Sequence, residues 1–318
     1  MSGTAPGAAR LPVLLLAGPT GAGKTDWAIR LAASAPVEIV SVDSALVYRG
    51  LDIGTAKPAR EVRARIPHHL IDICDAAESY SAGRFVSDAL ECIGAIHARG
   101  RVPFLVGGTM LYLRSLLDGL ADLPEARPAL RRELDARAAH EGWPALHEEL
   151  ARLDPAAAAR IAPNDAQRIQ RALEVWHATG QPISQLQRAT VSPLAPFNVR
   201  YWILKPPDRA VLHQRLAQRL EAMMAAGFLD EVRRLRDRGD LTPAHSSMRA
   251  VGYRQLWEHL EGRCDLAEGL RRALAATRQL AKRQLTWMRG ETGAEWVDPA
   301  FELSWNRDIC NALSALGF

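Results

Sequence analysis

Eight residues near the amino end, Gly18-Pro19-Thr20-Gly21-Ala22-Gly23-Lys24-Thr25, have the phosphate-loop spacing G-x4-G-K-T. In such a loop the glycines let the backbone curl until its N–H groups aim at one point, and the helix that follows adds partial positive charge there. A lysine at the position of Lys24 reaches the outer phosphate, and a hydroxyl at the position of Thr25 ligates Mg²⁺. The flanks suit this reading. Leu11 to Ala17 is an apolar run with the character of a buried parallel strand, and Asp26 to Ala33 continues as a helix. The chemistry implied is the gripping of a di- or triphosphate.

Other residues could act on what is gripped. Asp43 follows a second strand-like run, Val37 to Val42. A carboxylate there lies beside the phosphate loop and can accept a proton from an acceptor group or hold it in line; capping the strand end, or supporting Mg²⁺ without ligating it directly, are the alternatives. A further apolar run, Arg101 to Val106, ends in Gly107-Gly108-Thr109, where a typical ATPase carries an acidic metal ligand. That counts against a motor, and the paired glycines predict close approach of a ligand to backbone, or a tight turn. Gln167, Arg168, Gln170 and Arg171 line one face of a helical run whose apolar stripe is Ile169, Leu173 and Trp176. Such side chains suit base edges and phosphates, or simply face solvent. On a long run over 265–289, Arg271, Arg278, Lys282 and Arg289 fall within roughly 20° of one line at about 100° per residue. Arg272 and Arg283 widen this basic ridge, the footprint of a polyanion partner.

Alternating elements position these groups. Strands are expected at 11–17, 37–42, 69–73, 101–106, 199–204 and 294–297, with helices over 81–99 and 110–120. This is an α/β chain with a doubly wound parallel sheet of the P-loop NTPase type, whose ligands bind outside the carboxyl ends of the strands. Between 123 and 195 the strand signal vanishes, and helical runs at 128–141, 143–152 and 164–179 predict an all-helical insertion, the last run capped by Asn164 and stopped by Gly180. The expected division is a first core part at 11–122, the insertion at 123–195, and a second core part at 196–318 with helices at 208–225, 228–238, 249–261 and 265–289 and one closing the chain. Residues 1–10 read as a disordered tail.

Composition sets limits. The chain has 318 residues, 48% hydrophobic and 24% charged, with net charge +4. It is mildly basic, which permits a nucleic-acid partner without proving one. Cys74, Cys92, Cys264 and Cys310 are scattered and read as reduced thiols of a cytoplasmic protein. The run at 11–17 is too short to span a membrane and leads straight into the phosphate loop, so no signal peptide is expected. Lysine occurs only at 24, 57, 205 and 282, so in this Arg-rich chain Lys24, and as candidates Lys57 and Lys282, mark a need for a compact ammonium, while Lys205 beside Pro206-Pro207 reads as incidental.

Six motifs, in order along the chain, resemble those of the bacterial tRNA dimethylallyltransferases, the tRNA isopentenyltransferase family. They are GPTGAGKT (18–25), DSALVYRG with DIGTAKP (43–58), LVGGTMLY (105–112), PNDAQRIQRALE (163–174), RAVGYRQLW (249–257) and RQLAKRQLTWMRG (278–290). The resemblance implies transfer of a dimethylallyl group from dimethylallyl diphosphate to the exocyclic N6 amine of the adenosine immediately 3′ of the anticodon in tRNA, with diphosphate leaving. It implies Asp43, Thr109 and Lys24 as catalytic residues, and residues Gly18, Pro19, Thr20, Gly21, Ala22, Gly23, Lys24 and Thr25 as the diphosphate cradle, with Arg249 as an added clamp and Mg²⁺ on Thr25. The tRNA face it implies comprises Asp43, Ser44, Ala45, Leu46, Thr109, Arg131, Gln167, Arg168, Ile169, Gln170, Arg171, Arg249, Gly252, Tyr253, Arg254, Arg278, Lys282, Arg283 and Arg289. The target base would leave its stack to reach the sheet rim, which anticodon loops permit at modest cost. A cytoplasmic monomer acting on tRNA is expected. A small-molecule kinase, an isopentenyltransferase acting on free AMP, and a non-catalytic RNA-binding protein are the alternatives.

Overall fold

The computed structural model describes residues 10–187 and 190–299, together with Ile309 and Leu313. Over these residues the chain forms two compact units, Met1–Leu117 with Pro193–Phe318, and Asp118–Ser192. The first unit opens with strand β1 (Pro12–Ala17), helix α1 (Lys24–Ser34), β2 (Val37–Val42), α2 (Arg60–Arg65), β3 (His68–His69), α3 (Ala82–Ala98), β4 (Val102–Gly107) and α4 (Met110–Leu117). The second unit holds α5 (Pro128–Glu141), α6 (Trp143–Leu153), α7 (Pro155–Ala158), α8 (Ala166–Thr179) and α9 (Ile183–Leu186). The first unit then resumes with β5 (Asn198–Leu204), α10 (Arg209–Ala225), α11 (Phe228–Asp237), α12 (Tyr253–Leu260), α13 (Leu266–Met288) and β6 (Glu295–Val297).

The sheet is parallel throughout, in the order β3-β2-β4-β1-β5-β6. Every residue of β1, β2 and β4 is buried because helices cover both faces. The period of two splits them between two cores: Val13, Leu15, Val40, Val42 and Leu105 enter one, while Leu14, Leu16, Val37, Ile39, Phe104 and Val106 enter the other. The helical unit has its own core of Leu134, Leu146, Leu150, Ile169, Leu173 and Ile183. Among the described residues no helix is long and apolar enough to cross a membrane.

Several expectations change. The strand expected over 69–73 is only His68–His69, because Leu70 (φ 61°) and Asp72 (φ 59°) adopt left-handed backbone that ends pairing. Helix α4 ends at Leu117 rather than 120. The cap of α8 is Asp165, whose carboxylate accepts from the Arg168 amide, and not Asn164. The helix expected over 249–261 starts as a separate 3₁₀ turn, Ser247–Arg249, and restarts after Gly252, whose φ of 95° interrupts it. The expected amino-terminal tail and closing helix fall largely outside the described residues; Ile309 and Leu313 of the latter are buried in the second core.

Candidate active site at the sheet rim

Strand register brings the site together. Ala17 and Val42 both align with Gly107, so β1, β2 and β4 end level. The residues that follow each strand (the phosphate loop, Asp43, and Gly108-Thr109) therefore emerge side by side at one rim. The loop closes on itself through the Ala22 amide, which donates to the Pro19 carbonyl at 3.3 Å. Gly23, at φ 93°, is the N-cap of α1, and no side chain caps that helix. First-turn N–H groups in this state are the usual anion cradle.

Lys24 lies back over the loop, its ammonium donating to the Pro19 carbonyl at 2.9 Å. Loss of hydration pulls its pKa down to about 8, with Arg219 pushing the same way and the Asp43 carboxylate opposing. Asp43 uses Oδ1 to accept from the Ala45 amide at 2.8 Å and the Leu46 amide at 3.3 Å. It thus caps its own turn and also contributes the negative field felt by Lys24. Thr109 Oγ1 accepts from the Ser44 amide at 2.9 Å and donates to the Ser44 hydroxyl at 3.3 Å. The amides of Gly108 and Thr109 both donate to the Val42 carbonyl at 3.2 Å, hooking this turn onto the end of β2.

The paired glycines have a different cause from the ligand approach expected. A Cβ on Gly107 would lie 2.0 Å from the Val42 carbonyl oxygen, and one on Gly108 would lie 2.7 Å from Gln284 Nε2 and 2.8 Å from the Gly18 carbonyl oxygen. Protein, not ligand, fills the space.

Arg219 on α10 is a site residue that sequence reading missed. Its guanidinium is desolvated, which lowers its pKa, while Asp43 and Asp26 act to raise it. Arg219 reaches the Thr55 carbonyl at 3.5 Å. One arginine of many on an amphipathic helix gives no spacing signal. Arg249, expected as the clamp, is exposed on its 3₁₀ turn and donates to the Ala244 carbonyl at 3.0 Å. The cation whose field reaches both Lys24 and Asp43 is therefore Arg219.

The loop carrying Thr55 is held from beneath. Buried Glu231 accepts from the amides of Asp52 (3.1 Å), Ile53 (2.7 Å) and Gly54 (3.1 Å), and from the Tyr253 hydroxyl (2.5 Å). The side chain of Lys57 is also buried, its ammonium donating to the Tyr48 carbonyl (2.8 Å), Asp52 (2.7 Å) and Asp72 (2.5 Å). Lys57 is thus a compact ammonium in a crowded internal position, which explains lysine rather than arginine.

The expected RNA face divides. Ser44, Gln167, Arg168, Arg249, Arg254, Lys282, Arg283 and Arg289 are exposed. Ala45 and Leu46 are partly exposed, and Gly252 is the N-cap of α12. Tyr253 and Ile169 are corrected: both are fully buried, Tyr253 beneath the 52–54 loop and Ile169 in the helical core, so neither can touch a ligand on the surface. Arg131 and Arg171 hold the buried Glu174 carboxylate at 2.9 and 2.7 Å, with the Arg127 amide donating as well. Gln170 donates to Asp135 at 2.7 Å. Those three side chains organise the helical unit. On the basic ridge of α13, Arg271 and Arg272 share Glu268 at 2.6 Å, and Arg278 is only partly exposed, its field reaching His213 of α10. The ridge open to a polyanion is therefore shorter than its spacing implied, and centres on Lys282 and Arg283.

The donor set fits Mg²⁺ and not a protein-caged metal. Among the described residues no group of three or more His, Cys, Asp or Glu could hold an ion. Thr25, exposed at the start of α1, offers one hydroxyl beside the phosphate cradle. Mg²⁺ is commonly held in this way, with phosphate oxygens and water completing its shell.

Comparison with known proteins identifies the family. A family model described as IPP transferase matches residues 46–291, and one described as isopentenyl transferase matches residues 11–66. The chain is 59% identical over 289 residues to a tRNA dimethylallyltransferase of Alkalilimnicola ehrlichii, covering 91% of each. It is 60% identical to that of Bordetella petrii, covering 90% of this chain and 92% of the relative. Among solved structures, the tRNA isopentenylpyrophosphate transferase of Bacillus halodurans superposes with a TM-score of 0.69 at 36% identity, covering 96% of this chain and 97% of that one. A eukaryotic dimethylallyltransferase acting on tRNA gives a TM-score of 0.74 at 28% identity, covering 91% of this chain and 74% of that one.

Proposed function

The chain belongs to the IPP transferase family, and from that premise we propose that it moves a dimethylallyl group from dimethylallyl diphosphate to the N6 amine of the adenosine 3′ of the anticodon in tRNA. The observation that carries the reading is the level ending of β1, β2 and β4, which sets a phosphate cradle and a carboxylate at one rim. As the allylic C–O bond breaks, negative charge grows on the departing diphosphate. The cradle amides of Gly21 and of residues 23–25, the Lys24 ammonium and the Arg219 guanidinium are the groups to stabilise it. Bound Mg²⁺ would supply further Lewis-acid stabilisation of that leaving group, held through the Thr25 hydroxyl.

The adenine amine is a weak nucleophile because its lone pair is delocalised into the ring. Asp43 accepts a hydrogen bond from it and takes its proton as the C–N bond forms. Thr109, tied to Ser44, fixes the turn that aims Asp43. The exposed cations Arg254, Lys282, Arg283 and Arg289 of the first unit bind RNA phosphates, and Gln167 and Arg168 supply RNA contacts from the helical unit. The enzyme works as a monomer in the cytoplasm, with Mg²⁺ as its cofactor.

Mass spectrometry of tRNA nucleosides after incubation with dimethylallyl diphosphate and Mg²⁺ tests this. An added five-carbon unit on adenosine is expected. Phosphate transfer from ATP to a small acceptor, with no prenyl transfer to tRNA, would overturn it, and preference for free AMP over tRNA would reassign the acceptor.

A further inference from the structure

Gln284 lies on α13 between Arg283 and Leu285, yet its side chain turns inward and is 6% exposed. Its Oε1 accepts from the Thr20 amide at 2.8 Å, and its Nε2 donates to the Gly108 carbonyl at 2.8 Å. One carboxamide thus joins the phosphate loop to the turn that carries Thr109, across 264 and 176 residues of sequence. The fit is specific. A Cβ on Gly108 would come within 2.7 Å of Nε2, so the absence of a side chain there leaves room for this amide. Only a side chain with one acceptor and one donor on the same planar end satisfies both backbone groups.

We propose that Gln284 is a positioning residue for the diphosphate cradle, fixing the first half of the phosphate loop against the end of β4 so that its later amides converge on the leaving group. This rests on the reading of the loop as a diphosphate site. Gln284 touches no reacting atom. It acts on Thr20, which precedes the amides that face the anion, so its loss disorders the cradle without removing a phosphate contact. The neighbours on the helix, Lys282 and Arg283, face outward, so diphosphate binding and RNA binding separate in the test.

The test measures inorganic pyrophosphate binding by calorimetry in Mg²⁺, and anticodon stem-loop binding by filter retention, for the wild type, Gln284→Met and Gln284→Glu. Gln284→Met keeps volume and removes both hydrogen bonds. Pyrophosphate affinity is expected to fall at least about tenfold, the consequence of leaving the partly buried Thr20 amide and the buried Gly108 carbonyl unpaired, while RNA affinity stays within about twofold. Gln284→Glu is diagnostic. Ionised, its second oxygen faces the Gly108 carbonyl and repels it. Protonated, its O–H donates to that carbonyl while its C=O still accepts from Thr20. Burial and the facing carbonyl raise a carboxyl pKa, so the affinity of this variant relative to wild type should recover as pH falls from about 8 to 5.5. Gln284→Met should show no such recovery. Wild-type pyrophosphate affinity in Gln284→Met, a pH-independent ratio for Gln284→Glu, or an equal loss of RNA affinity would each overturn the proposal. If Gln284→Met fails to fold, the pH series on Gln284→Glu decides alone. A wild type that does not bind pyrophosphate overturns the reading of the loop, and with it this inference, and is distinguishable from failure of Gln284 by itself.

Discussion

The Lys24 ammonium gives the sharpest quantitative test. With its pKa at about 8 in the unliganded protein, the group is about nine-tenths protonated at pH 7 and about one-tenth at pH 9. Only the protonated form attracts a diphosphate. If cationic Lys24 is required, apparent affinity scales with its protonated fraction and falls about tenfold between pH 7 and pH 9. Binding near pH 8 should draw about half a proton from buffer, because the anion restores the charged state. Calorimetry with a non-reactive dimethylallyl diphosphate analogue, in buffers of different ionisation enthalpy, measures both quantities. Lys24→Met should bind weakly at every pH and lose the proton uptake. The same residue acts on stability with the opposite sign. Between about pH 8 and 10.4 the unfolded chain holds more protons at Lys24 than the folded chain, so this contribution to stability rises with pH. A wild-type affinity that is flat from pH 7 to 9, or a Lys24→Met variant that keeps the wild-type slope, would refute the reasoning.

Asp43→Asn keeps the oxygen that accepts from Ala45 but loses the base, so transfer should fall about 10²- to 10⁴-fold with stem-loop affinity unchanged; unchanged transfer in a single-turnover assay would remove Asp43 from the chemistry. Lys282→Ala should weaken stem-loop binding and reduce the slope of log affinity against log salt by about 0.7 to 0.9. Arg271→Ala, already neutralised by Glu268, should leave that slope unchanged. Tyr253→Phe should leave RNA affinity within about twofold, since the ring is buried, and cost about 1 kcal/mol in denaturant unfolding through the lost bond to Glu231. Glu174→Ala should destabilise the helical unit by about 2 kcal/mol, below the usual figure for breaking a buried pair because Arg131 is partly exposed. Burial alone would raise the Glu174 carboxyl, but Arg131, Arg171 and the Arg127 amide hold it below its ordinary value. Its contribution is present above the unfolded pKa of about 4.3 and disappears as pH falls through the lower folded value. Acid melting of that unit, followed by circular dichroism, should accordingly shift upward in pH in the variant.

The phosphate loop, Asp43 and the order of the principal elements were legible in the sequence because each depends on local pattern. A seven-residue apolar run, a glycine-rich turn and a helix must fold next to one another whatever the rest of the chain does. Arg219 and Gln284 were not legible, because their importance comes from partners far along the chain that only the sheet register brings near. Tyr253 and Ile169, expected at the surface, are buried, and Arg131 and Arg171 pair with Glu174, for a related reason. A motif shared across a family mixes residues that touch ligand with residues that hold those residues, and side-chain type does not separate them. Arginine beside a buried carboxylate reads in sequence like arginine awaiting a phosphate. The strand at 69–73 failed because an apolar, β-favouring string carries no mark of left-handed backbone, which here serves Asp72's pairing with Lys57 and Arg63.

The glycines at the end of β4 bear on the choice between prenyl transfer and a kinase. In a phosphate-loop ATPase the end of this strand supplies the acidic residue that holds the metal. Here the Val42 carbonyl lies 2.0 Å from where a Cβ on Gly107 would stand, and Gln284 and the Gly18 carbonyl lie within 2.8 Å of one on Gly108. Neither position can carry aspartate without moving the phosphate loop or β2. The space an acidic ligand would need is filled by the carboxamide that orders the cradle. On the proposed function, an ion would rest on the Thr25 hydroxyl and the oxygens of the diphosphate itself, with Asp43 on the adjoining strand end left to the acceptor. Restoring the ATPase residue with Gly108→Asp should therefore abolish diphosphate binding and confer no ATP hydrolysis, and a variant that gained hydrolysis would show the rim can accommodate what its packing excludes.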